Sequence, residues 1–121
     1  MDRLLTKFAL AVILAVSIGS VALPAAAHPS TDITASNWKF TPNTITLHVG
    51  ETTQLRLTST EGVHGIESSD LSIPLTTIQP GKFVVVNVTP KKAGIYVLHC
   101  AIMCGPGHEK MALTIVVTDS K

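Results

Sequence analysis

The sequence predicts a small all-β sandwich formed by one domain. From residue 31 onward, short segments of alternating apolar and polar residues follow one another, and Gly, Pro and Asn turn signals separate them. No segment in this part has the 3.6-residue period of an amphipathic helix. The 121 residues suffice for a single domain, and they contain no internal repeat or linker.

Each predicted strand has its own signal. Residues 44–49 alternate strictly, with Ile45, Leu47 and Val49 on one face, and residues 54–58 alternate again. An early strand is predicted at 37–40, a Phe- and Val-rich strand at 82–89, and the last two at 95–100 and 112–118. Turns are predicted at Pro42-Asn43, Gly50-Glu51, Pro80-Gly81, and at Pro90 with Gly94. Residues 61–80 form the least regular region.

Residues 1–27 resemble a secretory signal peptide. A short basic region precedes an apolar run over 8–23, and three small residues end at Ala27. The run is shorter than the roughly 20 residues that a membrane-spanning helix needs. We expect cleavage after Ala27, which leaves a periplasmic or otherwise exported domain over 28–121 that begins with His28. The alternative is an uncleaved signal that anchors the domain to the membrane.

The charge pattern excludes two classes of partner. Without residues 1–27, basic and acidic residues are equal in number, so the domain is near neutral. Nucleic-acid binding requires a basic face, and recruitment to an anionic membrane requires a polybasic segment. The sequence offers neither, so we expect no nucleic-acid partner and a membrane association only through an uncleaved signal.

The segment from Cys100 to Met111 carries the chemistry. It holds both cysteines of the chain, spaced C-x3-C-x3-H-x2-M with His108. Thiolate, imidazole and thioether are donors that copper prefers. Cys104, His108 and Met111, with His64 from the irregular region, would complete a mononuclear blue copper site. These four ligands complete the site, so Cys100 would have no role in a mononuclear centre.

Two thiolates four residues apart can instead bridge two copper ions. His64 and Met111 would complete one ion, and His108 with a backbone carbonyl between the cysteines would complete the other. The remaining alternative is a disulfide between Cys100 and Cys104, as exported proteins often have. Closing so short a loop gives little entropic stabilisation and leaves the histidine and methionine unexplained.

The loop resembles that of the binuclear copper (CuA) domain of cytochrome c oxidase subunit II, which reads C-x-x-x-C-G-x-x-H-x-x-M. Every fixed place of that motif is filled, by Cys100, Cys104, Gly105, His108 and Met111. The similarity extends over residues 35–117. It implies a cupredoxin-like Greek-key β-sandwich, two copper ions, His64 as the upstream ligand and the backbone carbonyl of Ile102 as a further one.

The same resemblance implies a function. The chain would be an electron carrier and not an enzyme, and it would exchange one electron at a time with a redox protein such as a c-type cytochrome. The family usually has glutamate where this chain has Ile102, which leaves backbone coordination intact but removes a side chain used at a neighbouring magnesium site. Two other functions stay open: a periplasmic copper carrier or assembly factor that serves a copper-accepting protein, and a mononuclear blue copper protein.

Three further residues, His99, Met103 and Trp38, are predicted not to bind the metal. His99 should point away from the sulfur of Cys100, because side chains alternate along a strand. Met103 is expected to pack inside the loop, and Trp38 is expected to lie in the core.

Overall fold

The computed structural model describes residues 13–20 and 28–120. Residues 13–20 are exposed and form no helix or strand. The rest of the predicted signal peptide, 1–12 and 21–27, lies outside the described residues. Within the described ranges, no helix is long and apolar enough to cross a membrane.

The described chain contains nine strands and a single turn of 3₁₀ helix at His108–Lys110. The strands are β1 Ser30–Ser36, β2 Lys39–Thr41, β3 Thr44–His48, β4 Thr53–Ser59, β5 His64–Ser68, β6 Ile73–Ile78, β7 Val84–Val88, β8 Gly94–His99 and β9 Ala112–Thr118. They form a four-stranded sheet in the order β2-β1-β4-β7, a three-stranded sheet in the order β3-β9-β8, and the hairpin β5-β6. The predicted all-β sandwich is confirmed.

Alternating burial explains how the two sheets pack. Leu55 and Leu57 of β4 are fully buried, while the residues that alternate with them along the strand are partly exposed. Leu113 and Ile115 of β9 are likewise fully buried, and all four belong to one hydrophobic cluster. A strand with one apolar face must cover that face, and here each sheet covers the other.

Two pairings are parallel, and both join strands that are far apart in sequence. β1 pairs with β4 in parallel from Ser30 opposite Gln54 to Ala35 opposite Ser59. β3 pairs with β9 in parallel from Thr44 opposite Thr114. β9 therefore lies at the centre of its sheet, with β8 antiparallel on its other side. The metal-donor segment is the connection between β8 and β9.

Two parts of the strand prediction are wrong. The early strand expected at 37–40 is replaced by the longer β1 and by β2, with a turn between them at residues 37 and 38. The region expected to be irregular, 61–80, contains the hairpin β5-β6. β1 and β5 are rich in small and polar residues, and they become strands because long-range partners pair with them, which local propensity cannot reveal.

Shortening one buried side chain of β9, the central strand of the three-stranded sheet, tests how the two sheets pack. Ile115 is fully buried, so Ile115→Val is expected to lower the free energy of unfolding by about 1 kcal/mol through a lost methylene and a small cavity. Ile95→Val is the matched control, because Ile95 is 72% exposed on the neighbouring strand. Its cost should stay within about 0.5 kcal/mol. Denaturant unfolding of both variants measures the difference, and equal costs would contradict the described core.

Candidate metal centre

The β8-β9 ladder closes the donor loop. Cys100 follows β8 directly and Met111 precedes β9 directly. The ladder pairs His99 with Ala112, and beyond it the N–H of Cys100 donates to the carbonyl of Met111 at 3.1 Å. The first and last donors of the loop therefore lie side by side on a rigid base.

His64 reaches the same place from the β5-β6 hairpin. It is the first residue of β5, lies opposite Ile78 and is completely buried. The sequence placed it in an irregular loop, and that expectation is wrong. The N–H of Ala101 donates to the carbonyl of Gly65 at 2.9 Å, which ties the start of β5 to the start of the donor loop.

His64 and the two thiols form one cluster. The ligand atoms of His64, Cys100 and Cys104 all lie within 4.8 Å of one another. The Nδ1 atom of His64 is 3.9 Å from the sulfur of Cys100. The same sulfur donates to the carbonyl oxygen of Ile102 at 3.4 Å. The backbone carbonyl singled out in the sequence therefore points at the cluster.

The remaining two donors gather around the second sulfur. The Nδ1 atom of His108 lies 3.6 Å from the sulfur of Cys104, and the sulfur of Met111 lies 3.9 Å from it. The 3₁₀ turn brings these donors together, since the N–H of Met111 donates to the carbonyl of His108 at 3.3 Å. Met111 is completely buried and His108 is half-buried. The structure thus brings all six predicted site residues to one end of the sandwich.

Both cysteines are free in this structure. Burial, together with the hydrogen bond and charge of the neighbouring Cys100, raises the pKa of the Cys104 thiol to about 11. A cation that binds this sulfur must therefore displace a proton, because the thiolate is the ligand form.

Trp38 supports the donor loop, a role that the sequence did not indicate. It was expected in the core, but it is 38% exposed and its indole N–H donates to the carbonyl of Cys104 at 3.0 Å. Its ring lies against the two glycines of the loop. A Cβ atom on Gly107 would lie 2.5 Å from two ring carbons, and one on Gly105 would lie 3.0 Å from the indole nitrogen. The glycines leave room for the tryptophan.

The prediction for His99 is confirmed, and the prediction for Met103 is wrong. His99 is exposed while Cys100 is 3% exposed, so the predicted alternation along β8 is confirmed. Met103 was expected to pack but is 85% exposed. Its two neighbours, Ile102 and Cys104, pack against the core, and the side chain of Met103 is directed at solvent.

The donor set fits a soft or borderline metal. Two thiols, two imidazole nitrogens, a thioether and a carbonyl oxygen converge, and no carboxylate belongs to the metal cluster found among the described residues. Thiolate and thioether together favour copper, whereas magnesium and calcium require oxygen ligands. Fold and site thus define a class of protein, a β-sandwich with a copper-type donor loop between its last two strands.

The chain belongs to the cupredoxin-like domain family, whose sequence profile matches residues 7–117. It is 32% identical over 80 residues to cytochrome c oxidase subunit 2 of Thermus thermophilus, an alignment that covers 66% of this chain and 58% of that protein. A second curated sequence of the same subunit, from a named strain of the same organism, is also 32% identical and is matched over 47% of its length. The chain therefore spans about half the length of these curated relatives.

Two solved structures share the fold. The periplasmic domain of subunit II of cytochrome oxidase (CoxB) from Bradyrhizobium japonicum superposes with a TM-score of 0.69 at 15% identity, over 80% of this chain and 88% of that one. Auracyanin A, a "blue" copper protein from Chloroflexus aurantiacus, superposes with a TM-score of 0.57 at 16% identity, over 76% of this chain and all of that one. At these identities the likeness concerns the fold alone.

Proposed function

We propose that this protein is an exported electron carrier that holds two copper ions in a binuclear CuA-type centre. The observation that carries the proposal is the position of Cys100. Its sulfur is buried within the cluster that also contains the donor atoms of Cys104 and His64. A mononuclear site needs only one of the two thiolates, whereas two bridging thiolates account for both.

The proposed ligands are those predicted from the sequence. His64 and Met111 would complete one ion, and His108 and the carbonyl of Ile102 would complete the other. Because coordination through Ile102 uses the backbone, its side chain is free to pack, and its Cγ2 lies against Gly65 of β5. Isoleucine in place of the usual glutamate is compatible with this arrangement.

The chain would supply a dry and rigid site. His64 and Met111 are completely buried and Cys100 is 3% exposed, so half of the six donors are screened from water. Held by these donors, copper would supply one-electron chemistry, and the rigid hairpin and loop would keep the rearrangement at each transfer small. Since all donors come from the protein, the site offers no open position for a substrate, which is the arrangement of a carrier and not of an enzyme.

The proposed partner is a redox protein, such as a c-type cytochrome. His108 is half-buried, so its ring offers an edge of the site to the surface. Trp38, Val63 and Met103 are exposed apolar side chains that contact or directly precede site residues. Apolar groups of this kind suit a transient protein contact. Export is proposed from the signal-like segment at 1–27, and the fold shared with a periplasmic oxidase domain supports it.

Copper reconstitution of the apo-protein tests the proposal. We expect two copper ions per chain by metal analysis, and in the paramagnetic spectrum one unpaired electron coupled equally to two copper nuclei. The metal should remain bound through repeated oxidation and reduction in the presence of a mild chelator. One ion per chain would favour the mononuclear site of a blue copper protein. Rapid loss of copper to an apo-acceptor would favour copper delivery.

A further inference from the structure

The two ring nitrogens of His64 have different neighbours. Nε2 lies 2.7 Å from the carbonyl oxygen of Glu61, and Nδ1 lies 3.9 Å from the sulfur of Cys100. A carbonyl oxygen only accepts hydrogen bonds, so Nε2 must carry the hydrogen. In the neutral ring this leaves the lone pair on Nδ1, directed at the metal cluster. The Glu61 carbonyl therefore determines which nitrogen the site receives.

A single buried hydroxyl holds that carbonyl in place. Ser59 is the last residue of β4 and is 4% exposed. Its Oγ accepts the N–H of Glu61 at 3.1 Å, and its hydroxyl faces two carbonyl oxygens to which it can donate, that of Gly62 at 2.6 Å and that of Glu61 at 3.0 Å. One side chain thus closes the turn over residues 59–62 and fixes the direction in which the Glu61 carbonyl points.

The turn has a second anchor outside itself. The carboxylate of Glu61 accepts the backbone N–H of Asn37 at 3.0 Å. Gly62 has φ +75°, and a Cβ atom there would lie 2.7 Å from the side-chain oxygen of Asn37 and 3.1 Å from Nε2 of His64. The turn is therefore packed directly against the imidazole, with no space for the ring to change its orientation freely.

We propose that Ser59 is a positioning residue for the metal site. Its hydroxyl fixes the Ser59–Gly62 turn, the turn directs the Glu61 carbonyl at Nε2 of His64, and the imidazole is thereby held with Nδ1 toward the sulfurs. The part that concerns copper rests on the proposed function; the orientation of the ring in the apo-protein does not. Groups that orient a ligand in this way typically change metal affinity when they are removed.

The test compares Ser59→Ala with the wild type in the full apo-protein. Nuclear magnetic resonance of the ¹⁵N-labelled chain should detect the Nε2 proton of His64 in slow exchange with water in the wild type. In Ser59→Ala we expect this exchange to accelerate roughly fivefold or more, because the acceptor is no longer held. Thr53→Val is the matched control, since it removes another buried hydroxyl from the same strand, about 20 Å away. It should leave the exchange rate unchanged.

Copper titration of the same variants gives the second readout. Ser59→Ala should bind copper roughly 10- to 100-fold more weakly than the wild type, and Thr53→Val should bind it equally well. A folded Ser59→Ala with the exchange rate and copper affinity of the wild type would overturn the proposal. If Ser59→Ala does not fold, Ser59→Cys replaces the hydroxyl by a thiol of similar shape that forms much weaker hydrogen bonds, and unchanged exchange in that apo-protein would overturn the proposal too. A wild type that binds no copper, with faster exchange in Ser59→Ala, would refute the proposed function and leave the positioning role intact.

Discussion

Cys100→Ser is expected to lower the copper content from two ions per chain to one. A serine hydroxyl is a poor ligand for copper, so the bridge between the two ions would lose one of its two sulfurs. Cys104 would keep its neighbours His108 and Met111, whose donor atoms lie 3.6 and 3.9 Å from its sulfur. The variant would therefore retain the donors of a mononuclear site. Metal analysis and the paramagnetic spectrum, with the unpaired electron coupled to one copper nucleus, measure the change.

Two further variants sharpen this result. Cys104→Ser is expected to bind copper more weakly than Cys100→Ser, because Cys100 would be left with His64 and the carbonyl of Ile102. His99→Ala is the control, since the exposed His99 directly precedes Cys100 and faces away from the cluster. It should keep two ions and the spectrum of the wild type. If Cys100→Ser instead leaves copper content and spectrum unchanged, Cys100 is not a bridge and the binuclear proposal is wrong.

The strands that the sequence predicts well are those with the strictest alternation. The central residues of β3, β4 and β9 alternate between apolar and polar, and their apolar positions are buried, so their local pattern agrees with their packing. β5 has no such pattern: its sequence His-Gly-Ile-Glu-Ser includes a glycine, and its first three residues are all buried. Only its pairing with β6 makes it a strand, and that pairing depends on residues about ten positions away.

The candidate donor residues stand out in the sequence because cysteine, histidine and methionine at this spacing are unusual at any position. The spacing of Cys100, Cys104, His108 and Met111 predicts a metal-binding loop without reference to its conformation. The supporting contacts could not be predicted in this way. The hydrogen bond from Trp38 to the carbonyl of Cys104 joins residues 66 positions apart, and its acceptor is a backbone group that every residue possesses. The paired glycines at 105 and 107 were a signal of a bulky neighbour, but they did not indicate which one.

The second large effect is expected from Gly107→Ala. Gly107 has φ −90°, which alanine adopts without strain, so the backbone does not require glycine there. The requirement comes from Trp38, whose ring carbons would lie 2.5 Å from the new Cβ atom. Either the indole or the loop must move, and the bond from the indole N–H to the carbonyl of Cys104 would be lost. We expect the free energy of unfolding to fall by about 1–3 kcal/mol. Copper should also bind more weakly, because the loop carries His108 and Met111.

A double-mutant cycle separates this steric conflict from any other effect of the substitution. In a Trp38→Ala background the ring is absent, so Gly107→Ala should cost less than about 0.5 kcal/mol in denaturant unfolding. The difference between the two backgrounds measures the contact between the glycine and the indole. An equal cost in both backgrounds would show that Trp38 does not limit the loop. A cost confined to the background with tryptophan would mean that a residue far from the ligands in sequence sets the conformation of the loop that carries them.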